Sequence, residues 1–169
     1  AFVKTKLEEM GYVPQECGKS GLVVLAGGKK PGKCFLIRGD MDALPVEEQA
    51  NVEFRSQNPG KMHACGHDYI LAVALILTKI VSLEKDAFPV RIRFLFEPAE
   101  EIGEGALRMI SAGAMEDPVP DAFLMFHYAA DKSFGMAVHK GQASSMICGM
   151  KILIQGRSSH WCKEEKGVD

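Results

Sequence analysis

Lys61-Met62-His63-Ala64-Cys65-Gly66-His67-Asp68 is the stretch that decides how this chain is read. His63, Cys65 and His67 stand at alternate positions, the spacing that sends side chains to one side of an extended backbone. In a helix, His63 and His67 would share a face and Cys65 would point away from both. Gly66 supplies the backbone freedom for a turn that folds donors around an ion. A single buried Cys or His would mean only packing. Three such residues in five positions point to a metal, and imidazole with thiolate suits Zn, Mn, Co or Ni.

Outward from this stretch the chain alternates strands and helices. After Asp68, which reads as an N-cap, Tyr69 to Leu83 is a strong helix, apolar on nearly all sides. That composition predicts a sheet against one face and another element against the other. On the other side, Pro45 to Gly60 reads as a surface connection. It is preceded by a strand, Cys34 to Ile37, that ends in Arg38-Gly39-Asp40-Met41-Asp42. Earlier still, Leu22 to Ala26 is a strand stopped by Gly27-Gly28 and a turn running to Lys33. Phe2 to Met10 is a helix closed by Gly11. Downstream, a strand at Val90 to Phe96 ends in Glu97-Pro98-Ala99-Glu100-Glu101. A short helix follows at Gly105 to Ala112, then a strand from Asp121 to Phe126 that ends at His127. Further strands are predicted at Gly135 to His139 and Met146 to Gln155. This order predicts an α/β fold, a twisted mixed sheet with flanking helices.

Polar residues fall where such a sheet keeps its ligands. Asp40 and Asp42, Glu100 and Glu101, and His127 each follow a strand, while the His/Cys cluster precedes a helix. Ligands of open α/β sheets bind at the carboxyl ends of strands, so these segments should share one crevice. Of two adjacent glutamates outside regular structure, one can hold a cation while its neighbour accepts a proton from water. A thiol enzyme with Cys65 as nucleophile and His67 as base would leave Glu100, Glu101 and His127 without a role. His139, Trp161 and Cys162 read as structural.

Composition narrows the class. The 169 residues, 47% hydrophobic and 25% charged, describe a globular chain, and no apolar run approaches a membrane span. A net charge of -2 without a basic stripe argues against nucleic acid and against an anionic membrane surface. Five scattered cysteines, Cys17, Cys34, Cys65, Cys148 and Cys162, fit free thiols in a reducing compartment, so the expected setting is the cytoplasm.

Taken together, Arg38 to Pro45, Met62 to Asp68, Phe96 to Glu101, Phe126-His127 and Gly156-Arg157-Ser158-Ser159-His160 resemble the metal-dependent amidohydrolases of the aminoacylase and carboxypeptidase superfamily. Its branch of hippurate hydrolase, N-acetyldiaminopimelate deacetylase and auxin-conjugate hydrolases has these motifs in this order. The resemblance implies two divalent metal ions (Mn, Zn, Ni or Co) held by Cys65, His67, Glu101 and His127, with Glu100 as general base. Asp42 would orient a ligand or tune the attacking water. His160 would hold the substrate carboxylate or the developing oxyanion. The implied reaction is cleavage of the amide bond of a small N-acyl or N-aroyl amino acid, carried out by a homodimer. Residues 1–143 would be the N-terminal part of the catalytic domain and 144–169 the start of an inserted α+β dimerisation domain.

The chain also departs from that pattern. Ile70 stands where a second histidine is usual, Glu97 where Gln is commoner, and Trp161-Cys162-Lys163 where small residues and Pro are expected. Family members are more than twice as long, which predicts a fragment lacking a final histidine ligand and inactive by itself. A catalytically inactive fragment, or a non-catalytic metal-binding protein that retains the fold, is therefore the rival reading.

Overall fold

A computed structural model describes residues 1–27, 32–84, 86–128, 135–141 and 150–168. It divides into two compact units, residues 1–134 and 135–169.

The first unit is a five-stranded mixed sheet with helices on both faces. In chain order the elements are α1 (Phe2–Glu9), β1 (Gln15–Cys17), β2 (Gly21–Gly27), β3 (Cys34–Asp40), α2 (His67–Leu83), β4 (Arg91–Glu97), α3 (Gly105–Ser111) and β5 (Ala122–Met125). The sheet order is β1-β2-β4-β3-β5. β2 runs antiparallel to β1 and β4, while β3 runs parallel to β4 and β5. Parallel pairing of β3 with β4 needs a crossover, and α2 makes it.

Side-chain alternation on β4 separates two cores. Phe94 and Phe96, with Ile92, face α1 and α2 and pack among Leu7, Val24, Ala74 and Val81. Leu95 faces the other way and joins Cys17, Val23, Leu36, Met109 and Ala114 beneath α3. On α2 the buried positions are His67, Ile70, Ala74, Thr78 and Val81, spaced three or four apart as one stripe toward the sheet. Gly39 on β3 permits this close approach: a Cβ there would lie 2.9 Å from Ala74 Cβ. Tyr12 ties the back of the helix by donating from its hydroxyl to Thr78 O at 3.1 Å.

Several expectations are revised. β1, too short to show a pattern in sequence, forms against β2. The predicted second cover over α2 is not present among the described residues, and Tyr69, Ile76, Ile80 and Leu83 are exposed. The helix begins at His67 rather than after Asp68, because Gly66 at φ 78° takes the N-cap position. Asp68 instead accepts a bond from its neighbour Tyr69 N. The turn after Gly27 lies largely outside the described residues, as does Cys148.

In the second unit residues 135–140 are not a strand, and neither are 150–155 of the predicted Met146 to Gln155 strand; residues 146–149 lie outside the described residues. The described regular structure there is a 3-10 helix over Trp161–Lys166 and a bridge between Arg157 and Val168. Trp161 and Cys162 are exposed, not packed.

Candidate metal centre

His67 is the hub. As the first residue of α2 it is 1% exposed and reaches the ends of β3 and β4. Its Nε2 lies 3.7 Å from Asp40 Oδ2, 3.6 Å from Glu100 Oε2 and 3.7 Å from Glu101 Oε1. These spacings are too long for hydrogen bonds. Among the described residues, His67 Nε2, Glu101 Oε1 and Asp40 Oδ1 are buried polar atoms without a hydrogen-bond partner. Buried polar atoms are nearly always paired, and orphaned donors gathered around His67 fit a cation.

The donor chemistry fits such an ion. Cys65, His67 and His127 offer ligand atoms all within 4.8 Å of one another, and so do Asp40, His67 and Glu100. Cys65 Sγ stands 3.6 Å from His127 Nε2. His127 donates from its other nitrogen to Tyr128 O at 2.7 Å, which leaves the lone pair on Nε2, facing Cys65 Sγ. The Tyr69 and Tyr128 rings meet edge to face and hold the segment after β5 over the start of α2.

Asp42 organises the neighbours with both its backbone and its side chain. A two-residue bridge between Leu44 and Met62 brings its segment beside the His/Cys stretch. Its carbonyl oxygen accepts from His63 Nδ1 at 3.0 Å and from His67 Nδ1 at 3.1 Å. A carbonyl only accepts, so both imidazoles carry their proton on Nδ1 and present Nε2 as a lone pair. Asp42 Oδ2 accepts the backbone N–H of Glu101 at 3.2 Å. The turn bearing the two glutamates begins with Ala99 at φ 57°, a left-handed backbone that costs a non-glycine residue energy and marks a held geometry.

Charge in this pocket is strongly negative. Burial raises the Glu100 carboxyl above the usual range; Arg38 and His67 oppose that rise, while Asp40 and Glu101 reinforce it. Burial and Glu101, with Glu100 and Asp40 behind them, likewise push the Cys65 thiol up. Without a cation, Cys65 is thus a poor nucleophile, which counts against the thiol-enzyme alternative.

The structure brings Cys65, His67, Glu100, Glu101, His127 and Asp42 together. His63 does not join the donor group, because the stretch turns at Gly66 instead of running extended. His160 belongs to the second unit, where its Nδ1 lies 2.9 Å from Cys162 Sγ. Sequence reasoning gave no separate role to Asp40, which is fully buried, or to its partner Arg38. The signal was available: Arg38 and Asp40 share a face of β3 two positions apart, directly before Asp42. Ile70 occupies the core, 1% exposed, with its side chain toward β3.

Fold and donor set together define the class, an α/β domain built around a metal-competent centre. The model of peptidase family M20/M25/M40 matches residues 36–154, and the chain belongs to that family. Over its full length it is 32% identical to the N-acetyl-L-cysteine deacetylase of Bacillus subtilis, covering 41% of that protein. Over 91% of its length it is 34% identical to the N-acetyldiaminopimelate deacetylase of Streptococcus suis, again covering 41%. A solved Bacillus subtilis structure, described as a dinuclear metal binding peptidase from the M20 family, superposes with a TM-score of 0.72 at 32% identity. That match covers 77% of this chain and 36% of the other. The chain thus spans about two fifths of the length of the curated relatives it matches.

Proposed function

We propose that the protein is a metallo-amidohydrolase that removes the acyl group from a small N-acyl amino acid, an acetyl group before an aroyl one. The observation that carries this reading is the set of orphaned, buried donor atoms around His67. The two deacetylase relatives support the choice of substrate. Cys65, His67, Glu101 and His127 would hold two divalent cations, of which Zn and Mn suit the mixed donor set. Bound there, the cations would supply Lewis acidity, making water a better nucleophile and the amide carbonyl a better electrophile.

The chain's own groups do the rest. Glu100, with its carboxyl raised, accepts the proton of the attacking water and delivers it to the leaving nitrogen. Asp42 fixes the tautomer and direction of His67 through its carbonyl and steadies Glu101 through that residue's backbone N–H. His160 would grip the substrate carboxylate. In this reading residues 1–143 are the N-terminal part of the catalytic domain and 144–169 begin an inserted domain; the division of the structure into two units supports a second domain. The intact protein would work as a cytoplasmic homodimer.

The test is hydrolysis of N-acetyl amino acids and of hippurate by the intact protein, with and without a chelator. Turnover should vanish on chelation and return with Zn or Mn. Glu100→Gln should lower turnover by at least about a hundredfold while leaving cation binding nearly intact. Full activity in chelator, or in Glu100→Gln, would refute the assignment.

A further inference from the structure

Three buried charged residues form a triad that reaches the donor cluster through Asp40 and extends behind it. Arg38 Nε donates to Glu97 Oε2 at 2.6 Å and its Nη1 donates to Asp40 Oδ2 at 2.5 Å. Asp40 and Glu97 are register partners on the parallel strands β3 and β4, so the guanidinium bridges two strand ends. All three side chains are about nine-tenths or more buried. At the far side of this triad, Asp40 Oδ2 lies 3.7 Å from the unpaired His67 Nε2, and Asp40 Oδ1 has no partner among the described residues.

A guanidinium against Asp40 is a standing competitor of any cation held at His67, because it draws on the same carboxylate. Two carboxylates and one guanidinium leave the triad with a net charge of -1. With a neutral residue at 97 the triad would be neutral, and Arg38 would turn its whole charge toward Asp40. Low local dielectric makes that difference felt across the triad.

We propose that Glu97 sets the cation affinity of the centre, acting through Arg38 and Asp40 as a positioning residue that never touches the ion. This rests on the metal-hydrolase reading above. Groups that support ligands from behind change metal affinity by roughly ten- to a hundredfold when altered, and Glu97 falls in that class.

The experiment compares the intact protein with Glu97→Gln and Glu97→Asp by competition of Zn2+ with a chelator, together with the Tm of the metal-free forms. Glu97→Gln keeps the shape and an oxygen for Arg38, so it should bind Zn2+ roughly tenfold or more weaker with a nearly unchanged metal-free Tm. Glu97→Asp keeps the charge and should stay within about threefold of wild type. In an Asp40→Asn background the Glu97→Gln effect should shrink, since the route through Asp40 is gone. If Glu97→Gln does not fold without metal, the Zn2+ midpoint of metal-induced folding reads the same affinity and should rise. Equal Zn2+ binding by wild type and Glu97→Gln overturns the inference, as does a lowered metal-free Tm with unchanged affinity. No Zn2+ binding by wild type overturns the metal-hydrolase reading itself.

Discussion

Gly39→Ala tests whether the spacing of β3 and α2 sets the metal centre. The added Cβ would lie 2.9 Å from Ala74 Cβ and 3.7 Å from Ile70 Cγ2. Nonbonded carbons rest at about 3.5–4.0 Å, so α2 must retreat from β3 by roughly 0.6–1 Å. Ala74 has no flexible end that could yield. Overpacking of this kind costs about 1–3 kcal/mol, which for a chain of this size lowers Tm by about 2–12 °C. The retreat falls beside the centre, because Asp40 follows Gly39 and His67 stands one turn before Ile70. Thermal unfolding followed by circular dichroism, with Zn2+ competition on the same samples, should show both a lowered Tm and weakened binding. Ala74→Gly added to Gly39→Ala restores the space at a helix cost of about 1 kcal/mol, so binding should recover more fully than Tm. A Gly39→Ala protein with wild-type Tm and wild-type Zn2+ affinity would refute the argument that this contact is tight.

Two further outcomes follow from the core. Met109, 2% exposed on the buried face of α3, anchors the second core, and Met109→Ala should destabilise by about 2–5 kcal/mol in urea titration; a loss below about 1 kcal/mol would mean the site collapses around the gap. Burial raises the thiols of Cys17 and Cys34 above their ordinary value, against a smaller opposing effect of Arg93. Since the folded value is the higher one, the stability tied to these thiols is complete below the unfolded thiol pKa. It is lost as pH rises through the raised folded value. The urea midpoint should therefore fall above about pH 9, and less steeply when both residues are Ala; identical alkaline slopes would sink the claim.

Sequence pattern carried four of the five strands and the three helices of the first unit, most clearly where an apolar period is long: alternation on β4, and three-four spacing on α2 within a helix apolar all round. It also anticipated which donors lie close together, since donors at strand ends have one crevice to meet in. What it missed depended on contacts between distant segments. β1 is three residues long and exists by pairing with β2. The helix start moved to His67 because Gly66 adopts a left-handed conformation, which the residue type permits but does not announce. His63 falls outside the donor group because the backbone turns between it and His67, with Gly66 N–H bonded to His63 O. The strands expected at 135–139 and within 150–155 had apolar residues, but these segments form no ladder among the described residues.

The centre draws on four separated places: the end of β3, the start of α2, the turn after β4 and the residue beyond β5. β3 pairs in parallel with β4 on one side and with β5 on the other, and both pairings must be in place before His127 joins the rest. Parallel pairings between distant segments are slow steps in forming a fold. A cation that needs all four places meets its full donor set only after the last of these steps. Its binding energy would therefore fall on the escape from the native state and not on the approach to it. In kinetic terms an ion held there would be a lock on a finished fold: it would lengthen the native lifetime and leave the rate of folding to the sheet.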